Sequence, residues 1–237
     1  MSSATPTPNP THCRIEAFDL FAQQLHDLDD ARNLTLAATA IAMHEQGEID
    51  PQDVIDELDQ LANKIAARLQ SSDPRAILAH AHEVLFTEER LRGCRHDYYD
   101  PKHSYLPAVL KMRRGLPIVL CLIYKYILEQ LGIPVQGVGV PGHFIVQLDI
   151  YEMQEAPPAA QLIDPFFSGR LLSEPEIIKR ALDMTGRSYA PEEALRPVNP
   201  QGWLRRIINN LIKSFDQRQR FDDIAAMHEL LTLIAIK

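Results

Sequence analysis

Residues 116–131 constrain the fold more than any other segment, because they form a helical pattern that is apolar on nearly every side. Gly132 follows as a C-cap glycine with Pro134 beyond it, which predicts that the helix ends there. A helix that is apolar all round is stable only when other elements enclose it. Its longest apolar run, residues 116–124, is too short to span a bilayer, which takes about 20 residues. The sequence therefore predicts a buried central helix in a soluble protein.

Helical patterns also fill the chain before this segment. Asp50 and Asp73 are N-cap residues that each precede a proline at the first helical position, and apolar residues then recur every three or four positions. The predicted helices of this part cover about residues 15–29, 33–46, 51–69 and 74–85. Residues 13–90 are thus predicted to be a helical N-terminal part. Residues 1–12, rich in Ser, Thr and Pro, are predicted to be a disordered lead-in rather than a signal peptide.

Strand-like and helical runs follow the central segment. The strand-like runs are bounded by Gly, Pro and Asp and cover residues 135–140, 144–150 and 161–163. Residues 151–159, with two prolines, are predicted to be an exposed hairpin connection. Ser173 and Glu176 form a capping-box pattern that opens another helix. Two amphipathic stripes then predict a helical hairpin, formed by Trp203, Ile207, Leu211 and Phe215 and by Ile224, Met227, Leu231 and Ile234.

The charge balance argues against two classes of partner. The chain carries 24 Lys and Arg against 32 Asp and Glu, a formal net charge of −8. A protein that binds nucleic acid or an anionic membrane surface needs a basic face. The three cysteines lack the spacing of a zinc site or a disulfide framework. We therefore expect a cytoplasmic protein with reduced thiols and no metal, and neither nucleic acid nor membrane as a partner.

A glycine pattern matches a dinucleotide-binding motif in spacing alone. Gly137, Gly139 and Gly142 satisfy G-x-G-x-x-G, but that motif must open a helix and here it runs into a predicted strand. Pro141 also removes a backbone donor that a phosphate would use. We therefore predict no cofactor.

His143 and Asp164 are the candidate catalytic pair. His143 opens one predicted strand and Asp164 closes the next, and on adjacent antiparallel strands their side chains can approach to hydrogen-bonding distance. An aspartate that accepts a hydrogen bond from one imidazole nitrogen makes the other nitrogen more basic. Two alternatives remain open: a structural His–Asp pair, or an aspartate that caps the turn before Pro165.

The long polar loop before the central helix supplies candidate binding residues. Tyr98, Tyr99, Asp100 and His103 are predicted to form a pocket wall or lid near His143, with donors for a polar ligand. Alternatively, hydrogen bonds among the side chains of the loop pin it in place. The loop meets no spacing rule for metal binding.

Arg113 and Arg114 directly precede Gly115, just before the central helix. Their guanidinium groups are candidates for a place beside the helix N-terminus, where they would favour an anion. Ordinary surface salt bridges are the alternative.

Several short segments, taken in order and with their spacing, resemble the transglutaminase-like superfamily. More narrowly, they resemble its bacterial SirB-type branch, also called transglutaminase-like core 2, over about residues 33–236. The segments are residues 83–86, 93–105, 113–115, 131–134, 141–144 and 164–166. The resemblance implies a papain-type core, with Cys at a helix N-terminus and His and Asp on successive strands. It also implies a helical N-terminal part and tetratricopeptide-like helices at the C-terminus.

The resemblance assigns the family's His and Asp positions to His143 and Asp164, but its nucleophile does not transfer. Counting back from Gly132, the family's cysteine position falls on Pro117, and the SirB-type branch commonly lacks the cysteine there. Cys121 lies one helical turn further along, among Leu and Ile residues. Burial there raises a thiol pKa, which favours a core residue; a substitute catalytic thiol is the alternative.

Together these patterns predict an α+β fold. Its helical N-terminal part is followed by a papain-like or transglutaminase-like core (residues 91–197), with a buried helix on a small antiparallel sheet, and by a C-terminal helical hairpin (residues 198–237). One function consistent with the sequence is a degenerate module that binds a peptide, protein or small ligand in the inherited cleft. The other is a hydrolase or acyl-transfer enzyme with His143 as general base oriented by Asp164. The missing nucleophile favours the binding module, and the oligomeric state stays open.

Overall fold

The structure is a computed structural model and describes residues 9–148 and 161–235 of the 237-residue chain. Its helices are α1 (Ile15–Gln24), α2 (Ala31–Met43), α3 (Pro51–Ala66), α4 (Pro74–His82), α5 (Leu106–Met112), α6 (Pro117–Gln130), α7 (Glu174–Thr185), α8 (Pro191–Ala194), α9 (Pro200–Asp216) and α10 (Phe221–Ala235). Its strands are β1 (Arg92–Gly93), β2 (Arg114–Gly115), β3 (Val135–Val138), β4 (Ile145–Leu148), β5 (Gln161–Asp164), β6 (Arg170–Leu172) and β7 (Pro197–Val198). None of the described helices combines the length and the apolar character that a bilayer crossing requires. Helices and a small antiparallel sheet make the α+β fold that the sequence predicts.

Helix α6 lies at the centre of the molecule. It begins at Pro117, whose fixed φ suits the first turn, and ends before Gly132, which adopts a φ of +82°. Every residue from 117 to 128 is buried. The helix contacts α2, α3, α5 and α9 as well as strands β3 and β4, so helices and sheet together enclose it. The predicted buried central helix is confirmed.

The N-terminal helices begin at aspartate caps. The side chains of Asp50 and Asp73 each accept a hydrogen bond from the backbone N–H two residues further on, at 2.8 and 2.9 Å. Helix α2 starts at Ala31, two residues earlier than predicted, because Asp30 caps it in the same way. Helix α1 ends at Gln24 rather than near residue 29, since the residues between form the turn that leads to this cap.

Beyond α4 the helix widens instead of ending near residue 85. Glu83–Glu88 form a π-helix, in which the Glu89 N–H donates to the Val84 carbonyl, five residues back, at 2.9 Å. Arg90 then adopts the left-handed conformation, with a φ of +57°, and the chain turns into β1.

Strands β3 to β7 form one five-stranded sheet in the order β6-β5-β4-β3-β7, and its neighbouring strands are antiparallel. Ile163 on β5 pairs with Val146 on β4, so the end of β5 lies beside the start of β4. Strands β6 and β7 are absent from the sequence prediction, because three and two residues are too few to show an alternating pattern. The predicted connection over residues 151–159 lies outside the described residues.

The glycine motif lies on β3 and in the turn after it rather than before a helix. A Cβ atom on Gly137 would lie 2.4 Å from the Trp203 ring, so this glycine lets α9 approach the sheet. Gly142 adopts a φ of +76° in the turn that leads to His143. Both glycines therefore have a structural explanation.

The C-terminal helices α9 and α10 pack against each other, and they also contact α2 and α1 respectively. Glu229 on α10 accepts hydrogen bonds from the backbone N–H groups of Thr11, His12 and Cys13, at 2.8, 3.1 and 2.8 Å. The last residues of the predicted lead-in are therefore held against α10. Residues 1–8 lie outside the described part of the chain.

Candidate functional site

The turn after β3 and the end of β5 bring His143 and Asp164 together. The Nε2 atom of His143 lies 2.8 Å from the Oδ2 atom of Asp164. The Asp164 side chain is completely buried, whereas the His143 side chain keeps 13% of its surface exposed. The pair therefore joins a buried carboxylate to an imidazole that reaches solvent.

Asp164 uses both of its carboxylate oxygens. Oδ1 accepts a hydrogen bond from the Phe166 N–H at 3.1 Å and so caps the 3₁₀ turn Pro165–Phe167. Oδ2 binds His143 and also lies 3.4 Å from the guanidinium group of Arg180 on α7. One side chain thus combines the two arrangements that the sequence left as alternatives, a histidine partner and a turn cap.

The imidazole of His143 has one free nitrogen. When Nε2–H donates to a carboxylate, Nδ1 carries the lone pair, and among the described residues Nδ1 has no hydrogen-bond partner. Phe166 packs edge-on against the ring with 5.8 Å between centroids, and Phe167 lies at 6.1 Å. These contacts hold the plane of the ring and leave Nδ1 as the atom that can accept a proton.

Arg206 on α9 holds the backbone of the same turn. Its guanidinium group donates to the carbonyl oxygens of His143 at 2.7 Å and Val140 at 3.3 Å, and it lies over the Phe144 ring at 5.3 Å. Burial lowers the pKa of Arg206 below its ordinary value. Arg206 is therefore a positioning residue, which fixes the main chain that carries His143.

A cleft of about 1110 Å³ opens beside His143. Four cations and one carboxylate line it: Arg180, Arg205, Arg206, Lys213 and Asp183. Aromatic and apolar side chains form much of the remaining wall, among them Tyr98, Tyr99, Phe166, Phe167, Ile177 and Met184. This lining suits a ligand that combines negative charge with apolar groups.

Pro117 lines the cleft at the start of α6, where the family resemblance implies a nucleophilic cysteine. Cys121 is completely buried, and its Sγ atom donates to the Phe144 carbonyl at 3.6 Å. Burial raises the pKa of the Cys121 thiol well above its ordinary value. No cysteine lines the described part of the cleft.

Two of the candidate loop residues reach this cleft. Tyr98 and Tyr99 line it together with His143. The Tyr99 carbonyl accepts hydrogen bonds from the Ser214 hydroxyl and, at 2.7 Å, from the Arg218 guanidinium, both on or next to α9. The loop is thus tied to α9, which keeps both tyrosines beside His143.

The other two loop residues lie elsewhere. Asp100 caps the turn Pro101–His103 by accepting from the Lys102 N–H at 2.9 Å. His103 lines a second cavity, and its Nδ1 atom lies 3.0 Å from the Asp97 carbonyl oxygen. Neither Asp100 nor His103 is among the described residues that line the cleft beside His143, and their hydrogen bonds within the loop match the alternative of a loop pinned by its own contacts. Across the described residues, no three His, Cys, Asp or Glu side chains are grouped so that they could hold a metal ion.

The two candidate arginines have different surroundings. Arg113 forms ion pairs with Glu57 at 2.8 Å and Glu89 at 3.2 Å, as the salt-bridge alternative supposes. Arg114 is exposed and forms no ion pair with any other described residue. Both line the second cavity rather than the cleft beside His143.

The sequence analysis missed three residues that complete the site, Phe167, Arg180 and Arg206. Phe167 extends the Asp-Pro-Phe segment by one residue, so a signal for it was present. The two arginines lie on amphipathic helices, where an arginine normally belongs to a solvated face. Only the tertiary fold distinguishes these two from other surface arginines.

Comparison with known proteins identifies the family of this chain. The model of the transglutaminase-like superfamily matches residues 52–209, more than half of the chain. A UPF0162 protein of Xylella fastidiosa (strain Temecula1) is 34% identical over 152 residues, which cover 62% of this chain and 52% of the relative. A UPF0162 protein of Pseudomonas aeruginosa is 31% identical over 179 residues, which cover 74% of this chain and 62% of the relative.

A eukaryotic relative is also similar: F-box only protein 21 of Mus musculus is 28% identical over 155 residues, 62% of this chain and 23% of the relative. No solved structure matches the chain. The chain spans about half the length of the Xylella protein that it matches. The family match, and a His–Asp pair beside a buried helix on a small antiparallel sheet, lead to one conclusion: the chain belongs to the transglutaminase-like superfamily.

Proposed function

We propose that this chain is a binding module of the transglutaminase-like superfamily, which holds a peptide segment of a partner protein in the cleft beside His143 and lacks thiol chemistry. One observation carries the proposal: Pro117 lines the cleft where the family resemblance implies the nucleophile. Proline has no side-chain atom that can attack a carbonyl carbon. Fold membership alone does not carry an activity past a missing catalytic group.

The nearest cysteine in the sequence does not supply the missing group. A catalytic thiolate needs access to substrate and an environment that lowers its pKa. Cys121 has neither, since it is completely buried and its thiol pKa is raised by that burial. It is best explained as a core residue of α6.

The cleft lining supports a peptide as the ligand. Exposed Arg205 and Lys213 supply positive charge, while Phe167 and Met184 supply apolar contacts. A volume of about 1110 Å³ is enough for several side chains of an extended segment. We therefore expect the ligand to be a peptide that presents carboxylates next to apolar side chains.

Selection from a phage-displayed library of random dodecapeptides tests the proposal. The immobilised wild-type chain should select peptides that combine Asp or Glu with aromatic or aliphatic residues. In fluorescence anisotropy, Phe167→Ala should weaken the binding of selected peptides by about tenfold, because aromatic anchors dominate such contacts.

Phe221→Ala is the matched control, because Phe221 is 68% exposed and lies outside the cleft. It should change the affinity by less than about twofold. Failure to select any peptide, or equal binding to wild type and Phe167→Ala, would contradict the proposal.

A second candidate function is hydrolysis, and the free Nδ1 atom of His143 supports it. In this reaction Nδ1 takes a proton from water as the water oxygen attacks a carbonyl carbon, and Asp164 stabilises the resulting imidazolium. The proton then passes to the leaving group as its bond to carbon breaks. The 13% exposure of the His143 side chain gives water access to the ring.

Turnover of p-nitrophenyl acetate tests the second candidate. His143→Gln should lower the rate by about a hundredfold if His143 is the general base. His228→Gln is the matched control, since His228 is exposed and lies outside both cavities, and it should leave the rate unchanged. Equal rates for the wild type and His143→Gln would exclude this candidate.

The proposal also includes the branch of the family, the type of the C-terminal hairpin, the division of the chain and its location. We infer the SirB-type branch, a tetratricopeptide-like character of the α9–α10 hairpin, and the division into residues 13–90, 91–197 and 198–237. The close packing of α9 on α10 supports the hairpin. A cytoplasmic location is supported by three cysteines that are all buried and unpaired.

A further inference from the structure

A second groove adjoins the cleft and is unusually rich in arginine. Its volume is about 1010 Å³, and it shares Phe166 and Phe167 with the cleft beside His143. The arginines that line it are Arg90, Arg92, Arg95, Arg113 and Arg114. Among the described residues, Glu89 and Asp97 supply the carboxylates of the lining. In a chain with a net charge of −8, this groove concentrates positive charge.

The pairing of two short strands brings these arginines together. Strands β1 and β2 are parallel, and Arg92 pairs directly with Arg114. Arg90, two residues before Arg92, and Arg113, directly before Arg114, both adopt the left-handed conformation, with φ of +57° and +56°. A Cβ atom on Gly93 would lie 2.5 Å from the Phe166 ring, so the strand lies directly against the shared aromatic wall.

Most of this charge has no partner of opposite sign. Arg113 forms ion pairs with Glu57 and Glu89. The other four arginines are exposed, and none of them makes an ion pair with another described residue. Arg95 instead stacks on the shared Phe167 ring at 5.2 Å. Two like charges at neighbouring positions repel each other, so fold stability does not explain why Arg92 lies beside Arg114.

We propose that this arginine groove, lined by Arg90, Arg92, Arg95, Arg113 and Arg114, binds an acidic stretch of the polypeptide whose neighbouring residues occupy the cleft. The inference rests on the proposed function of the cleft as a peptide site. Arginine is suited to this role because its planar guanidinium group binds a carboxylate through two parallel hydrogen bonds.

Two observations favour an acidic peptide over nucleic acid. The groove and the cleft share Phe166 and Phe167 in their linings, so one extended peptide can contact both. A net charge of −8 repels a long polyanion wherever it extends past the groove, whereas a short acidic stretch stays within it.

Binding of fluorescein-labelled hexaglutamate to the full chain, followed by anisotropy at low ionic strength, tests the inference. The double substitution Arg92→Glu with Arg114→Glu should weaken binding by about tenfold or more, and added salt should weaken binding to the wild type. The control, Lys179→Glu with Arg196→Glu, makes the same change in net charge at exposed positions outside both cavities. It should keep the affinity within about twofold.

A milder double variant, Arg92→Gln with Arg114→Gln, keeps the test valid if charge reversal disturbs folding, and it should also weaken binding. The inference is overturned if hexaglutamate does not bind the wild type, or if both groove variants bind like the control. Tighter binding of a twelve-nucleotide oligothymidylate than of hexaglutamate would also overturn it, in favour of nucleic acid.

Failure of this inference can be told apart from failure of the proposed function. Selected dodecapeptides that depend on Phe167, together with no binding of hexaglutamate, would remove the groove proposal and keep the cleft proposal. The opposite result is that hexaglutamate binds through Arg92 and Arg114 but no dodecapeptide is selected. That result would contradict the cleft as a peptide site, and also the claim that one polypeptide occupies both cavities.

Discussion

At the scale of single residues, Asp164 is the group on which the site depends. Its carboxylate is completely buried, and three donors surround it: the His143 ring, the Arg180 guanidinium and the Phe166 N–H. A buried charge is tolerated only while its partners remain in place. Loss of the carboxylate and loss of one partner should therefore have different consequences.

Asp164→Ala should lower the free energy of unfolding by about 2–4 kcal/mol, because it strands several buried donors. His143→Ala should cost only about 1 kcal/mol, because Arg180 and the Phe166 N–H still bind the carboxylate. Urea unfolding of both variants measures the difference. Equal losses would instead identify His143 as a structural histidine of the core.

The cysteines should be unreactive in the folded chain. All three are buried, and burial raises the pKa of the Cys121 thiol and that of Cys13, the latter to about 12. Iodoacetamide near neutral pH, followed by mass spectrometry, should label none of them in the native chain and all three in urea. Rapid native labelling of Cys121 would reopen thiol chemistry.

His82 should make stability depend on pH. Its Nε2 atom lies 2.8 Å from the Tyr124 hydroxyl, and burial lowers its pKa below 6.5. The folded chain then binds fewer protons than the unfolded chain just below that value. The contribution of His82 is complete above pH 6.5 and is lost as the pH falls towards the folded pKa.

The measurement compares urea unfolding of wild type and His82→Gln at about pH 7.5 and about pH 5.5, since the glutamine amide can still bond the Tyr124 hydroxyl without titrating. The wild type should lose more stability than His82→Gln on acidification. Equal losses would show that His82 titrates alike in both states.

At the scale of elements, α9 fixes the turn between β3 and β4. Arg206→Met should lower the free energy of unfolding by about 1.5–3 kcal/mol, because the carbonyl oxygens of Val140 and His143 lose a charged donor. The neighbouring Arg205 is exposed, and Arg205→Met should stay within about 0.5 kcal/mol of wild type. Thermal or urea unfolding of this pair is the test, and similar losses would contradict the role given to Arg206.

The elements show where sequence patterns are informative. Local signals are sufficient for the helix starts at Asp50 and Asp73 and for the capping box at Ser173, because cap and partner lie within three residues of each other. They are insufficient for β6 and β7, which are too short to show an alternating pattern, and for the π-helix, which the apolar periodicity does not distinguish from an α-helix. The approach of His143 to Asp164 follows from strand order, but the strand order itself is only suggested by the sequence.

At the scale of the whole molecule, the two ends of the described chain contact each other. Glu229 on α10 binds the backbone of residues 11–13, more than 200 positions away, and α1 packs on α10. Glu229→Ala should cost about 1–2 kcal/mol, because it leaves three N–H groups before α1 without their acceptor. Hydrogen exchange should speed up at residues 11–13 and little in α6. Unchanged exchange at residues 11–13 would contradict this contact.

Contacts between residues far apart in the sequence also explain why the sequence predicts only part of the site. The buried helix α6 can be inferred from composition, since an all-apolar helix permits only an enclosed position. Arg180 and Arg206 reach the His–Asp pair from 16 and 63 residues away, on helices with ordinary amphipathic patterns. Their roles depend on how those helices dock, which no local pattern encodes.

The divided use of the Asp164 carboxylate bears on how such proteins evolve. Because one oxygen caps a turn while the other holds a histidine, selection for a foldable chain alone can preserve this aspartate after catalysis has been lost. A lineage that loses its nucleophile can thus retain the His–Asp pair. The two hydrogen bonds of Asp164 therefore give it a structural role that does not depend on which residue stands at the start of α6.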